Sequence, residues 1–258
     1  MGDRRVTVIT GASQGIGAVI ARTFGGEGDA VVLAARNAAN LERVAAEVRQ
    51  AGGLPLVVET DVTDLSSVEA MVHEARSAFG GVDVVVANSG IGGPSGRLWE
   101  LDPDEWDATF AVNVKGVFLT ARAAIPTMIE GGGGSIVVIG SISGKRPLFG
   151  RSAYTSTKAA LVGFTRTLAL EAGAHGIRVN LISPGFVAGP RLDWVIQAQA
   201  EARGVTAEAV RAEFESQSPM GRLTDPQDVA DTAVYLASDR AAGLTGADLN
   251  VNAGVVMY

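Results

Sequence analysis

The chain contains no cysteine. That excludes a disulfide scaffold, a thiolate zinc site, an iron–sulfur cluster and a cysteine nucleophile, and it suits a reducing compartment. Histidine is scarce: His73 and His175 are the only two, and no cluster of His, Asp and Glu has metal-ligand spacing, so no metal is expected. Aromatic residues are 5% of the 258 positions. Positive charge is in deficit, with 21 Lys plus Arg against 28 Asp plus Glu and a formal charge of −7. An acidic body without a basic cluster is a poor partner for nucleic acid or an anionic membrane. No uninterrupted apolar run approaches the ~18 residues of a membrane span. The opening residues enter a strand-like run at once, with no room for a signal peptide. A globular, cytoplasmic protein is expected.

Glycine (33 residues) and apolar side chains (47%) are plentiful, enough for a substantial core. Short β-branched apolar runs recur at residues 6–10, 30–34, 56–60, 82–87, 136–140 and 177–182, with a weaker one at 248–251. They are solidly apolar rather than alternating, as strands buried on both faces of a parallel sheet should be. Helical patterns fill the intervals, at 15–24, 39–51, 65–79, 103–129, 152–174 and 226–238. Asp64, Asp102 and Asp225 stand where N-caps belong, and Pro103 and Pro226 suit first-turn positions. Alternating strands and helices of this kind predict a single α/β domain over residues 1–258, a doubly wound Rossmann-type sheet of about seven parallel strands. Residues 189–219 break the rhythm: helical and charged, with no strand after them, they read as a small lobe inserted near the strand ends.

The first run leads into Thr10-Gly11-Ala12-Ser13-Gln14-Gly15-Ile16-Gly17 and then a helix. A glycine-rich turn lets the backbone approach a pyrophosphate, and the free N–H groups of the helix start meet its charge. The spacing is GxxxGxG rather than GxGxxG. The plainer reading is a tight strand–helix turn; its place after the first strand favours a dinucleotide. The second run ends Ala34-Ala35-Arg36-Asn37, where such a fold faces the adenosine ribose. A carboxylate there would repel a 2′-phosphate and a guanidinium attracts one, so Arg36 points to NADP(H) over NAD(H), unless it is merely a solvated surface charge. Asp61-Val62, after the third run, could hold the adenine edge, or Asp61 could simply cap a loop.

Three tyrosines and three lysines occur in all, and Tyr154 and Lys158 stand four apart on a helical stretch, on one face. A phenol of pKa ~10 is a weak acid–base at neutral pH. An ammonium ~4 Å away stabilises the phenolate by about 4 kcal/mol at an effective dielectric of ~20. A tyrosine working two to three units lower, at ~1.4 kcal/mol per unit, is therefore reasonable.

With the turn TGASQGIG, Asn113 in NVKG, Ser141 in GSISG, YTSTK around Tyr154 and Lys158, and Pro184-Gly185, the sequence resembles the short-chain dehydrogenase/reductase family over essentially its whole length. The resemblance implies a proton exchanged between Tyr154 and the substrate oxygen, with Lys158 holding the nicotinamide ribose and lowering the tyrosine pKa. It implies that Ser141 hydrogen-bonds the carbonyl and that Asn113 supports a water linking Lys158 to solvent. Pro184, Gly185 and the following backbone, including Val187, would seat the nicotinamide carboxamide. Two departures stand out. The family's NNAG is here Ala87-Asn88-Ser89-Gly90, keeping Asn88 and Gly90 for the cofactor lining. The threonine often found after the Pro-Gly pair is replaced in Phe186-Val187-Ala188-Gly189-Pro190, which puts the order of that loop in question.

GSISG also looks like a GxSxG nucleophile elbow, but only His175 follows it, at a helix end, and the Tyr–Lys pair explains Ser141 better. The pocket should lie under the 189–219 lobe, flanked by 91–96 and 145–151. Ile91, Phe149, Phe186 and Trp194 would offer an apolar lining; Lys145, Arg146 and Arg151 would meet an anion or point to solvent. A free small-molecule ketone or secondary alcohol is the first expectation. A 3-oxoacyl group on acidic acyl-carrier protein needs a basic landing patch that residues 128–132 and 174–176 do not supply. An NAD-dependent alcohol or sugar/polyol dehydrogenase is the other enzymatic alternative. A redox-sensing regulator without turnover is disfavoured because Asn113, Ser141, Tyr154 and Lys158 are all present. The resemblance further implies a homotetramer built on the helices near 103–129 and 152–174. Phe110, Val114, Phe118, Leu161 and Phe164 lie on that side, and the hydrophobic C-terminus, Val255 to Tyr258, should pack on the core or on a partner.

Overall fold

The computed structural model describes residues 4–258. Seven strands form one parallel sheet: β1 (Val6–Thr10), β2 (Ala30–Ala35), β3 (Leu54–Glu59), β4 (Val84–Ala87), β5 (Gly134–Ile139), β6 (Ile177–Pro184) and β7 (Asp248–Val251). Their order is β3-β2-β1-β4-β5-β6-β7, so the chain reverses direction across the sheet between β1 and β4. Doubly wound sheets bind ligands at that switch point, outside the carboxyl ends of the strands.

The strands alternate their side chains between two cores. Val8, Val32, Ile136 and Val138 face one layer, with Met71 and Ala75 of α3 (Leu65–Phe79), Ala124 and Met128 of α5 (Gly116–Glu130) and Leu161 of α6 (Ser152–Ala172). Ile9, Leu33, Val137 and Ile139 face the other, with Ile20 and Phe24 of α1 (Gly15–Gly26), Val44 and Val48 of α2 (Ala38–Ala51) and Val229 and Ala233 of α9 (Pro226–Ala237). Two buried faces explain why the central runs lack polar alternation. The edge strand β3 is only half buried and carries Pro55, whose missing N–H is tolerated at an edge.

Helix starts follow the expected chemistry. Asp64, Asp102 and Asp225 each accept a backbone N–H two residues on, and Asn37 caps α2 by accepting from Asn40 N at 2.9 Å. The expected continuous helix over 103–129 is instead α4 (Pro103–Phe110), a wide π-type turn at Ala111–Lys115 and then α5. Pro103–Glu130 is long and apolar enough by composition to cross a membrane, yet Val117, Leu119, Ala121, Ala124 and Met128 are buried in the core shared with α3 and the sheet. The 189–219 lobe is a helix pair, α7 (Pro190–Arg203) and α8 (Ala207–Ser216), around Ile196, Ala200 and Val210.

Candidate active site

The turn between β1 and α1 is shaped by two glycines. Gly11 has φ +67°, a left-handed conformation that favours glycine. A Cβ on Gly17 would fall 2.3 Å from the Gly11 carbonyl oxygen and 2.5 Å from Asn88 Nδ2, so α1 sits closer to the turn than a side chain permits. Asn88 stitches this turn to β4: its Nδ2 donates to the carbonyls of Thr10 at 3.0 Å and Gly11 at 3.2 Å. Thr10, which sequence reasoning passed over, returns the favour by accepting the N–H groups of Asn88 and Ser89 on Oγ1. Gln14 and Gly15 are exposed at the helix start and Ile16 packs on the core beneath. The result is a turn in which backbone and the start of α1 lie exposed, the kind of surface whose free N–H groups can meet an anion.

The adenosine end is more mixed. Arg36 is exposed at the end of β2, and no carboxylate occupies Ala35 or Asn37. Asn37 is engaged as the α2 cap. Arg43, not singled out in the sequence, reaches from α2 to the Ser13 carbonyl at 3.4 Å and pairs with Glu47 at 2.6 Å. Asp61 does cap its own loop, accepting the Thr63 N–H and hydroxyl on Oδ1. Those bonds, with the nearby Arg36 charge, outweigh partial burial and hold its carboxyl below the ordinary range. Val62 is buried against Gly116, where a Cβ would stand 2.8 Å from its Cγ2.

At the centre, Tyr154 and Lys158 stand one turn apart on α6 with the ammonium 5.7 Å from the phenol ring centroid. Lys158 is buried and donates to the Ile139 carbonyl at 2.9 Å. Burial, reinforced by Arg191 and opposed by Tyr154, holds its pKa below the ordinary lysine value. For Tyr154, burial pushes the phenol up. Lys158, Arg191, a hydrogen bond with Ser141 and Arg151 pull it down more strongly, and the net shift is downward. Ser141 also accepts the Ser143 N–H at 3.1 Å, which fixes the short turn after β5.

Asn113 is fully buried in the π-type turn, a distortion common at functional sites. Its Oδ1 accepts the Ile91 N–H at 2.8 Å, and its Nδ2 donates to the Ile91 carbonyl at 3.0 Å and to Thr157 Oγ1 at 3.1 Å. Its side chain thus clamps the loop after β4 onto α6. A Cβ on Gly90 would stand 3.4 Å from Asn113 Oδ1 and 3.7 Å from Lys158 Nζ, so bare backbone lies directly beside the lysine.

The loop after Pro184-Gly185 lacks the family threonine but is anchored another way. Thr224 N donates to the Phe186 carbonyl and Ala188 N to the Thr224 carbonyl, both at 2.9 Å, with Val187 opposite Thr224. Among the expected lining residues, Ile91 is half-buried in the loop clamped by Asn113, and Phe186 meets Phe214 of α8 edge-to-face at 4.7 Å. Both phenylalanines border a cavity of about 200 Å³ with Ile142, Ser143, Arg146 and Leu148. Phe149 and Trp194 are turned to solvent instead, 89% and 71% exposed. Lys145 is spoken for by Asp248 at 2.9 Å and Asn250 at 2.6 Å, so it is no free anion receptor.

A nucleotide cradle at the switch point, leading to a Tyr–Lys pair beside a serine, defines a nicotinamide-dependent oxidoreductase acting on CH–OH and C=O groups, and the chain belongs to the short-chain dehydrogenase/reductase family. A family model described as enoyl-(acyl carrier protein) reductase matches residues 11–256. The chain is 39% identical over 250 residues to the cis-4-hydroxycyclohexanecarboxylate dehydrogenase of Sinomonas cyclohexanicum, covering 97% of this chain and 96% of that one. A variant of actinorhodin polyketide ketoreductase solved with NADPH superposes with TM-score 0.95 at 34% identity, covering 99% of this chain and 98% of that one. NAD+-bound xylitol dehydrogenase does so with TM-score 0.92 at 28% identity, covering 97% and 98%.

Proposed function

We propose that the protein is an NADP(H)-dependent enzyme that interconverts a free ketone and a secondary alcohol, with Tyr154 as the acid–base. The observation that carries this reading is the Tyr154 ring set one helical turn from the buried Lys158, whose ammonium lies 5.7 Å from the ring centroid and donates to the Ile139 carbonyl. The cofactor supplies or accepts hydride at the substrate carbon. The chain's residues do the rest. Tyr154 gives its phenolic proton to the carbonyl oxygen in reduction and takes it from the alcohol in oxidation. Lys158 stabilises the phenolate and would hold the nicotinamide ribose over the open backbone at Gly90. Ser141 fixes the substrate oxygen. Asn113 holds the wall of the site and, as the family resemblance implies, supports a water that carries the Lys158 proton outward.

For the cofactor, Gly11, Ser13, Gln14, Gly15, Ile16 and Gly17 would cradle the pyrophosphate and Asn88 would keep their turn in place. Asp61 and Val62 would border the adenine, Pro184, Gly185 and Val187 the nicotinamide. The exposed Arg36 and the neutral Asn37 favour a 2′-phosphate. A relative named for a hydroxycyclohexanecarboxylate supports a small free substrate, and its dehydrogenase name keeps alcohol oxidation open as the working direction. Phe118 on α5 and Leu170 on α6 are exposed apolar side chains, as are Met257 and Tyr258, which supports a homotetramer covering them; Leu161 already has cover in its own core. A cytoplasmic location agrees with the cysteine-free sequence.

Tyr154→Phe tests the mechanism. Turnover should fall by about 10²–10⁴-fold while fluorescence titration shows unchanged cofactor affinity. A variant that keeps its turnover would remove Tyr154 from the reaction.

A further inference from the structure

The substrate side of Tyr154 holds more positive charge than the chemistry so far requires. Arg151 and Arg191 place their guanidinium carbons 5.5 and 5.8 Å from the Tyr154 ring centroid, although one precedes α6 and the other lies in the first turn of α7. They also converge on each other: a Cβ on Gly92 would stand 2.8 Å from Nη2 of Arg151 and 2.8 Å from Nη2 of Arg191. Like charges brought this close repel, and a carboxylate between them would offset that repulsion. Among the described residues none forms an ion pair with either arginine. Asp193, the acid nearest Arg191 in sequence, is paired with Arg211.

Arg151 is held ready. Its Nη1 donates to Ser95 Oγ at 2.6 Å and its Nη2 to the Gly92 carbonyl at 2.7 Å. Arg191 is exposed and makes no side-chain hydrogen bond among the described residues, while its guanidinium stays close to the Tyr154 ring. Burial and then the charge of Arg191 hold the Arg151 pKa below its ordinary value, with Tyr154 opposing.

We infer that Arg151 and Arg191 form an anion subsite for the substrate, which carries a carboxylate a few bonds from its reacting carbon. The inference deepens the reading of Tyr154 as the acid–base and rests on it. A carboxylate bridging two guanidinium groups forms charge-assisted hydrogen bonds and relieves their mutual repulsion. It would also orient the neighbouring carbonyl toward Tyr154 and Ser141. In a chain of net charge −7, this pair concentrates positive charge where an anion would be drawn in.

The test uses enzyme loaded with oxidised cofactor, so that oxo acids bind without being reduced. Calorimetry compares levulinate with levulinamide, and cyclohexanecarboxylate with its amide, in wild type, Arg191→Gln and Arg151→Gln; melting curves check folding. Each carboxylate should bind at least about tenfold tighter than its amide, and Arg191→Gln should erase most of that ratio. In turnover with reduced cofactor, the acid-to-ester ratio for acetoacetate and levulinate against their methyl esters should fall in the same variants. Equal binding of acid and amide, undetectable carboxylate binding at millimolar concentration, or an unchanged ratio in Arg191→Gln overturns the subsite. The cofactor diphosphate is the other anion within the same cleft. If Arg191→Gln weakens cofactor binding while carboxylates gain nothing from Arg191, the arginine serves the cofactor and the proposal fails. Because the calorimetry needs no turnover, loss of the Tyr154 reading would show separately, in the Tyr154→Phe kinetics.

Discussion

The two sides of the cleft are made from different material. On the proposed cofactor side, backbone is the working surface: Gly17 leaves no room for a Cβ against the Gly11 carbonyl, and Asn88 and Thr10 serve to hold main-chain atoms in place. On the substrate side, long side chains from separate elements converge, with Arg151 and Arg191 over the Tyr154 ring and Phe186 against Phe214. Backbone recognises what all dinucleotides share, a pyrophosphate and a ribose. Side chains on loops and a two-helix lobe can be exchanged without disturbing the sheet, and that is where one family separates its substrates.

Lys158 sits where the two sides meet, so its removal should damage both. Lys158→Met is expected to lower kcat/KM by about 10²–10³-fold and also to weaken cofactor binding. It should leave a pH signature as well. With Tyr154 as the proposed acid–base, oxidation needs the phenolate, so its rate should rise with pH through the Tyr154 pKa, which is lowered from the ordinary tyrosine value. Taking away the ammonium moves that pKa up, and the inflection of the oxidation profile should shift to higher pH. An unmoved inflection would assign the depression to the arginines and the Ser141 hydrogen bond.

Next in size is a break confined to the cofactor side. Gly17→Ala puts a methyl group 2.3 Å from the Gly11 carbonyl oxygen, so the turn must move. Overpacking of about 1–3 kcal/mol should weaken cofactor binding by tenfold or more, seen by fluorescence titration, while a melting curve confirms the fold. Arg36→Ala is finer: it should erase an NADPH-over-NADH preference of about tenfold, or ~1.4 kcal/mol. Equal affinities in the wild type would make Arg36 a plain surface charge. The smallest effect is expected from Asn37→Ala, which removes the α2 cap at a cost of about 1 kcal/mol and lowers Tm by about 2–4 °C. If Asn37 also touches the cofactor, the variant will lose affinity beyond that loss of stability.

Most of the sheet was legible because buried parallel strands write themselves as unbroken apolar runs. The boundaries of 6–10 and 248–251 match β1 and β7, while β4 begins at Val84 rather than at residue 82. The cofactor side was legible for a related reason: glycine at fixed spacing is a local signal. Asn113, Ser141, Tyr154 and Lys158 were named from motifs, and the structure brings Asn113 within one hydrogen bond of α6 through Thr157. The substrate side was less readable. Arg191 and Phe214 lie in the inserted lobe, and nothing near them in sequence marks them as neighbours of Tyr154 or Phe186. Trp194 has the expected character but sits on the outer side of α7. Loss of the loop threonine suggested disorder where backbone pairing with Thr224 supplies the anchor; pairing of that kind leaves little trace in residue identity.

The π-type turn at Ala111–Lys115 has a consequence for how this site can change. Each residue of an α-helix turns the chain by about 100°, so one residue too many in a turn re-aims every side chain that follows. Asn113 reaches Ile91 from inside that widened turn, and the clamp therefore depends on the length of the chain as well as on its letters. A substitution can weaken such a contact, but only losing or gaining a residue can create or abolish the geometry behind it. Removing one residue from Ala111–Lys115 would tighten this turn to the α pitch and turn Asn113 away from Ile91.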